Sequence, residues 1–136
     1  MANLAITYKI KTPLTWGSFL NRLAQETVNY LKLKKDLEIS LVFVSPQKIR
    51  EYNRIYRQKD MITDVLSFSE VNEILICLSQ AKKQAKENKL SVKNEVGWLF
   101  VHGILHLLGK THESRVKLQK MIKIQDEILL KINKSD

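Results

Sequence analysis

Apolar and polar residues alternate over Leu4–Ile10: Leu4, Ile6, Tyr8 and Ile10 fall on one side, Ala5, Thr7 and Lys9 on the other. That period of two predicts a strand. Pro13 ends it, and a helix is expected from about Thr15, with Phe19, Leu20, Leu23, Val28 and Leu31 on its apolar face. Leu37–Val44 reads as a second strand, with Ile39, Leu41 and Phe43 on one face. Ser45-Pro46 then supplies a helix cap followed by proline at the first helical position, and that helix runs on through Ile49, Tyr52, Asn53 and Tyr56. Asp64–Phe68 and Glu73–Leu78 are short apolar strands whose separation by Ser69–Asn72 suits a hairpin-like connection. Ser79–Asn88 is a lysine-rich helix with Lys82, Lys83 and Lys86 facing solvent. Ser91 caps a central helix over about Val92–Leu108, in which Val96, Leu99, Phe100, Leu105 and Leu107 predict deep burial. From Glu113 a last helix carries an apolar stripe at Leu118, Met121, Ile122, Ile128, Leu129 and Ile132. The expected fold class is α+β, a mixed sheet of about four strands packed with about five helices, in a single domain spanning residues 1–136.

Composition narrows the setting. A chain of 136 residues is long enough to bury one core without covalent staples. It has no repeats, low-complexity segments or linkers, no apolar run of transmembrane length and no signal-peptide pattern at its N-terminus, so no membrane partner is expected. The single Cys77 excludes an internal disulfide and fits a reducing cytoplasmic setting; its place in the apolar run Ile74–Leu78 reads as a small buried hydrophobe. A net charge of +9 favours a polyanionic partner such as RNA, because neutralising phosphates releases counterions. A lysine-rich surface with no nucleic-acid role would give the same charge, so charge alone leaves the question open.

The densest chemistry lies in His102-Gly-Ile-Leu-His106-Leu-Leu-Gly109-Lys-Thr-His112, which holds all 3 histidines of the chain. His102 and His106 are one helical turn apart and project from one face. Gly109 is the natural stop, since glycine accepts the left-handed conformation that closes a helix and lets the chain bring His112 back. Three convergent neutral imidazoles are a site for one Zn2+ with an open fourth position, and they lower the pKa of a bound water to ~7. One helical pair alone would more often be two half-buried core histidines; the third, just past the stop, makes a metal site the better reading. Metalloproteases built on two helical histidines carry a glutamate beside the first, where this chain has Gly103. Peptide hydrolysis is therefore the weaker alternative. Glu95 is the other candidate base, expected on the outer face near the start of the central helix.

Together with a second motif, Asn53-Arg-x-Tyr56-Arg57-x-Lys59-Asp60-x-x-Thr63-Asp64-Val-Leu-Ser67-Phe68, the histidine run resembles the signature of the YbeY family of bacterial endoribonucleases. The resemblance covers most of the chain and is weakest over the first thirty or so residues. It implies single-stranded RNA as substrate, ribosomal RNA 3′-end maturation, contact with the small ribosomal subunit, His102, His106 and His112 as metal ligands in catalysis, and an active role for Arg57. Arg57 has the planar fork of donors that suits a phosphate oxygen and its growing transition-state charge; the plainer alternative is a surface pair with Asp60. Lys59 is a candidate for holding the RNA backbone. Thr63, Asp64 and Ser67 read as residues that fix the loop and strand by local hydrogen bonds, with Asp64 also a candidate to orient a ligand histidine.

The chain departs from the family pattern in two places. Lys110-Thr111 stands where the family usually has Tyr-Asp before the third histidine, which removes a carboxylate and adds a positive charge. The loop after the second motif is short, with Glu73 in place of the family's aspartate. A non-catalytic zinc-stabilised ribosome-binding factor is the remaining alternative, and a fourth ligand from Cys77, Asp64 or Glu113 would mark it.

Overall fold

The two cores of the molecule lie on opposite faces of one sheet, and the alternation of side chains along its strands sorts residues between them. The computed structural model describes residues 4–8, 16–110 and 112–134. Its elements are β1 (Leu4–Tyr8), α1 (Gly17–Tyr30), β2 (Leu37–Val44), α2 (Pro46–Arg57), β3 (Val65–Phe68), β4 (Glu73–Cys77), α3 (Leu78–Asn88), α4 (Val92–Leu107) and α5 (Arg115–Lys134). The sheet order is β1-β2-β4-β3, with β1–β2 and β2–β4 parallel and β3–β4 antiparallel. This is the α+β arrangement of four strands and five helices expected from the pattern. Ile10, Pro13 and Thr15 lie outside the described residues.

Ile39, Leu41 and Phe43 of β2 and Ile74 and Ile76 of β4 face the larger core, formed with α1, α4 and α5. Val42, Leu66, Leu75 and Cys77 face the other way, onto Ile49 of α2. Cys77 is buried and free, the small hydrophobe that its neighbours in the chain implied. Asn72 closes the β3–β4 hairpin with a φ of +50°, a left-handed turn that asparagine tolerates.

α4 runs through the middle of the larger core and is buried almost all round. Its Ser91 cap accepts the Asn94 N–H at 3.1 Å. Two glycines let it approach its neighbours: a Cβ on Gly97 would stand 2.8 Å from Leu23 Cδ1 of α1, and one on Gly103 would stand 2.9 Å from Ile74 Cγ2 of β4. Glu95 is not on the outer face. It is only 3% exposed and accepts the Asn88 amide at 3.4 Å, because that side of the first turn of α4 packs against the end of α3. The stripe on α5 is narrower than the sequence pattern, with Met121, Ile128 and Ile132 buried but Leu118 and Ile122 exposed. The helix meets α1 and α4 along a single seam, and apolar residues outside that seam remain in solvent.

Candidate metal centre and its flanking cleft

His102 and His106 project from the last two turns of α4, where the helix leaves the core. The helix then ends as the glycine predicts. Gly109 has a φ of +86°, its N–H donates to the His106 carbonyl at 3.0 Å, and the Lys110 N–H donates to the Leu105 carbonyl at 2.9 Å. This pair of bonds is the Schellman ending, which satisfies helix carbonyls while reversing the chain. His112 is thereby carried back over the other two rings, with ring centroids 4.8 Å from His106 and 5.6 Å from His102. One ligand nitrogen from each histidine lies within 4.8 Å of the others, and no carboxylate or thiolate among the described residues joins the group. Cys77, Asp64 and Glu113 therefore do not close a fourth position.

Behind His102 stands a residue that the sequence did not single out. Gln125 of α5 is 0% exposed; its Nε2 donates to the Trp98 carbonyl at 3.1 Å, which turns its Oε1 towards His102 Nδ1 at 3.2 Å. An amide oxygen only accepts, so His102 carries its proton on Nδ1 and leaves the Nε2 lone pair bare. That bare nitrogen faces His106 Nε2 at 3.1 Å. Two nitrogens on a tetrahedral zinc, each ~2.05 Å from the ion, stand roughly 3.3 Å apart, so the pair is spaced to share a cation with little movement. Trp98 stacks on the His102 ring at 6.0 Å and 12°, while its indole N–H donates to Asp126 at 3.1 Å. The ring is thus held from the side as well as from behind.

The electrostatics suit a cation of high affinity for neutral imidazole. Burial, then the neighbouring His102 and His112, then the Arg57 charge push the His106 pKa down to about 4. Burial also lowers that of His102, against the opposing hydrogen bond that it donates to Gln125. Both rings are neutral at physiological pH and keep lone pairs to offer.

The histidines open onto a cleft of about 460 Å³ whose opposite wall is the second motif. Asn53 anchors that wall: it is buried, its Nδ2 donates to the Met61 carbonyl at 3.0 Å, and its own carbonyl accepts the Lys59 N–H at 3.2 Å. Asp64 accepts the Val65 N–H at 2.7 Å and the Gln84 amide at 3.1 Å, so it fixes the entry to β3, and the residue behind His102 is Gln125 rather than Asp64. Ser67 Oγ donates to the Gly103 carbonyl at 3.2 Å, tying the wall to α4.

Arg57 stands on the rim. Its guanidinium donates to the Ser67 carbonyl at 2.7 Å and the Tyr56 carbonyl at 3.2 Å and lies 4.9 Å over the Phe68 ring. These contacts use two of its five N–H groups. Arg57 does not pair with Asp60; that carboxylate is taken by Arg50 at 2.8 Å. Lys59 lines the same cleft. Lys110 is exposed, and Thr111 lies outside the described residues.

The chain is similar to known proteins over nearly its whole length. The family model described as Endoribonuclease YbeY matches residues 5–133. An Endoribonuclease YbeY of Phytoplasma australiense is 37% identical over 116 residues, 76% of this chain and 81% of the relative. One of Mycoplasma capricolum is 35% identical over 129 residues, 85% of this chain and 79% of the relative. A solution structure from Thermotoga maritima superimposes with a TM-score of 0.66 at 27% identity, covering 97% of this chain and 93% of the other. Two motifs brought onto facing walls of one cleft, in a chain matched by the family model over residues 5–133, place this protein in the YbeY family of endoribonucleases.

Proposed function

We propose that the protein is a cytoplasmic, single-strand-specific, metal-dependent endoribonuclease of ribosomal RNA maturation, acting on 3′-end processing at the small ribosomal subunit as one domain over residues 1–136. The observation that carries the reading is the convergence of three imidazoles across a cleft from a fixed arginine. His102, His106 and His112 would hold one Zn2+. When bound, that ion supplies a Lewis acid for a phosphoryl oxygen and water that ionises near neutral pH. Gln125 keeps the His102 lone pair aimed at the ion, and Trp98 keeps the ring from turning. Arg57 binds the scissile phosphate through its remaining N–H groups and stabilises the extra negative charge of the pentacovalent transition state. Lys59 on the same wall attracts the RNA backbone. Gly103, whose missing side chain leaves space only for Ile74, has no room for the glutamate that a helical zinc protease needs beside its first histidine.

The test is cleavage of a labelled single-stranded RNA by the purified protein with and without chelator. Cleavage is expected to vanish with chelator and with His106→Ala. Arg57→Ala is expected to lower kcat roughly 100- to 1000-fold while RNA still binds. Unchanged cleavage by Arg57→Ala would remove Arg57 from the reaction. A folded, metal-loaded protein that cuts no RNA would leave a binding factor in its place.

A further inference from the structure

A second groove begins where the metal cleft ends, and Arg57 lines both. Its floor is aromatic. Tyr52 and Tyr56, one turn apart on α2, lie nearly parallel at 5.9 Å and 17°, and the Phe68 ring of β3 meets Tyr56 edge-on at 5.4 Å. Tyr52 and Phe68 are seated on the smaller core of Val42, Ile49, Leu66, Leu75 and Cys77, which makes the floor rigid. Tyr56 is 53% exposed and Val71, across the groove, 69% exposed. The open volume is about 470 Å³.

Charge is arranged around this floor in an order. Lys48 Nζ lies 5.6 Å over the Tyr52 ring at one end, and the Arg57 guanidinium lies over Phe68 at the other. Glu70 and Glu73 line the groove itself. The Glu70 carboxylate repels a phosphate there and can accept hydrogen bonds from the N–H edge of a base, whereas Lys48 and Arg57 attract phosphates. A flat, uncharged, hydrogen-bond-donating ring flanked by phosphates is a nucleotide within a single strand.

We propose that the Tyr52–Tyr56–Phe68 groove is a stacking subsite for one base of single-stranded RNA, adjoining the scissile phosphate held by Arg57. The proposal rests on the ribonuclease reading above. Stacking on an aromatic face tolerates every base, so the subsite holds the strand without selecting sequence. It also requires an unpaired base, which makes the groove the source of preference for single strands: a base inside a duplex presents no face to Tyr56.

The experiment is kcat and KM for cleavage by the full-length, zinc-loaded protein, using a single-stranded RNA and a series of the same RNA with one abasic nucleotide at each position. Tyr56→Ala is expected to raise KM roughly tenfold or more. Tyr56→Phe is expected to keep the wild-type value. In the wild-type protein, an abasic nucleotide at one fixed distance from the cut is expected to raise KM by a similar factor, and Tyr56→Ala is expected to be indifferent to that same abasic site. A wild-type KM in Tyr56→Ala, or abasic losses that add in full to the Tyr56→Ala loss at every position, would overturn the subsite while leaving the ribonuclease standing. No cleavage by the wild-type protein would overturn both. The abasic series in the wild-type chain reads the subsite without depending on how any variant folds.

Discussion

At the residue scale, the arrangement turns on Gln125. A buried amide that donates to one backbone carbonyl and accepts from one imidazole has no rotational choice left. Gln125→Leu would preserve bulk and remove the acceptor behind His102, so its ring would lose both tautomer and orientation. Zinc affinity of that variant, measured by competition with a chromogenic chelator, is expected to fall roughly 10- to 100-fold. An unchanged affinity would mean that Trp98 alone holds the ring. The three candidate ligands were legible because they fall within eleven residues and Gly109 marks the turn between them. Gln125 was not, since it lies 23 residues beyond His102 in a helix whose polar positions all read as solvent-facing. Only the packing of α5 against α4 turns that one inward. Arg57 was singled out through its motif, but its anchoring on the Ser67 carbonyl depends on a strand ten residues away in the chain.

At the element scale, α4 explains both what the sequence pattern captured and what it missed. Its caps, length and burial follow from Ser91, Gly109 and an almost uninterrupted apolar run. That same uniformity erases the helical periodicity from which a solvent face is read, and so Glu95 was placed outside when it is inside. The strands were easier, because alternation in β2 divides cleanly between two cores. Gly103 is where α4 presses on β4, and Gly103→Ala puts a methyl 2.9 Å from Ile74 Cγ2, on a branched side chain with little freedom to yield. Thermal unfolding of that variant is expected to show a loss of about 1–3 kcal/mol. A variant as stable as the wild type would mean that α4 can slide outwards, in which case zinc affinity, measured in parallel, should drop through displacement of His102.

At the scale of the whole molecule, a charge of +9 acts on RNA before any contact forms. Binding should weaken steadily with salt, with log K falling against log salt by about 0.7 for each phosphate contacted on a single strand. Arg57→Ala is expected to reduce that slope by about 0.7, whereas Tyr56→Ala should weaken binding at every salt concentration and leave the slope alone. Equal slopes for the wild type and Arg57→Ala would place the phosphate elsewhere. The two variants thus separate a charged contact from a stacked one on the same rim. The hydrogen bond between α4 and α5 also sets an order of events during synthesis. A growing chain that has already released His102, His106 and His112 still lacks Gln125, because that residue follows His102 by 23 positions. Until α5 reaches Gln125 and docks, that amide does not fix the His102 tautomer, and a metal bound there would be held less tightly. A metal centre on these histidines would therefore gain its full support only after α5 has been made through Gln125 and has docked.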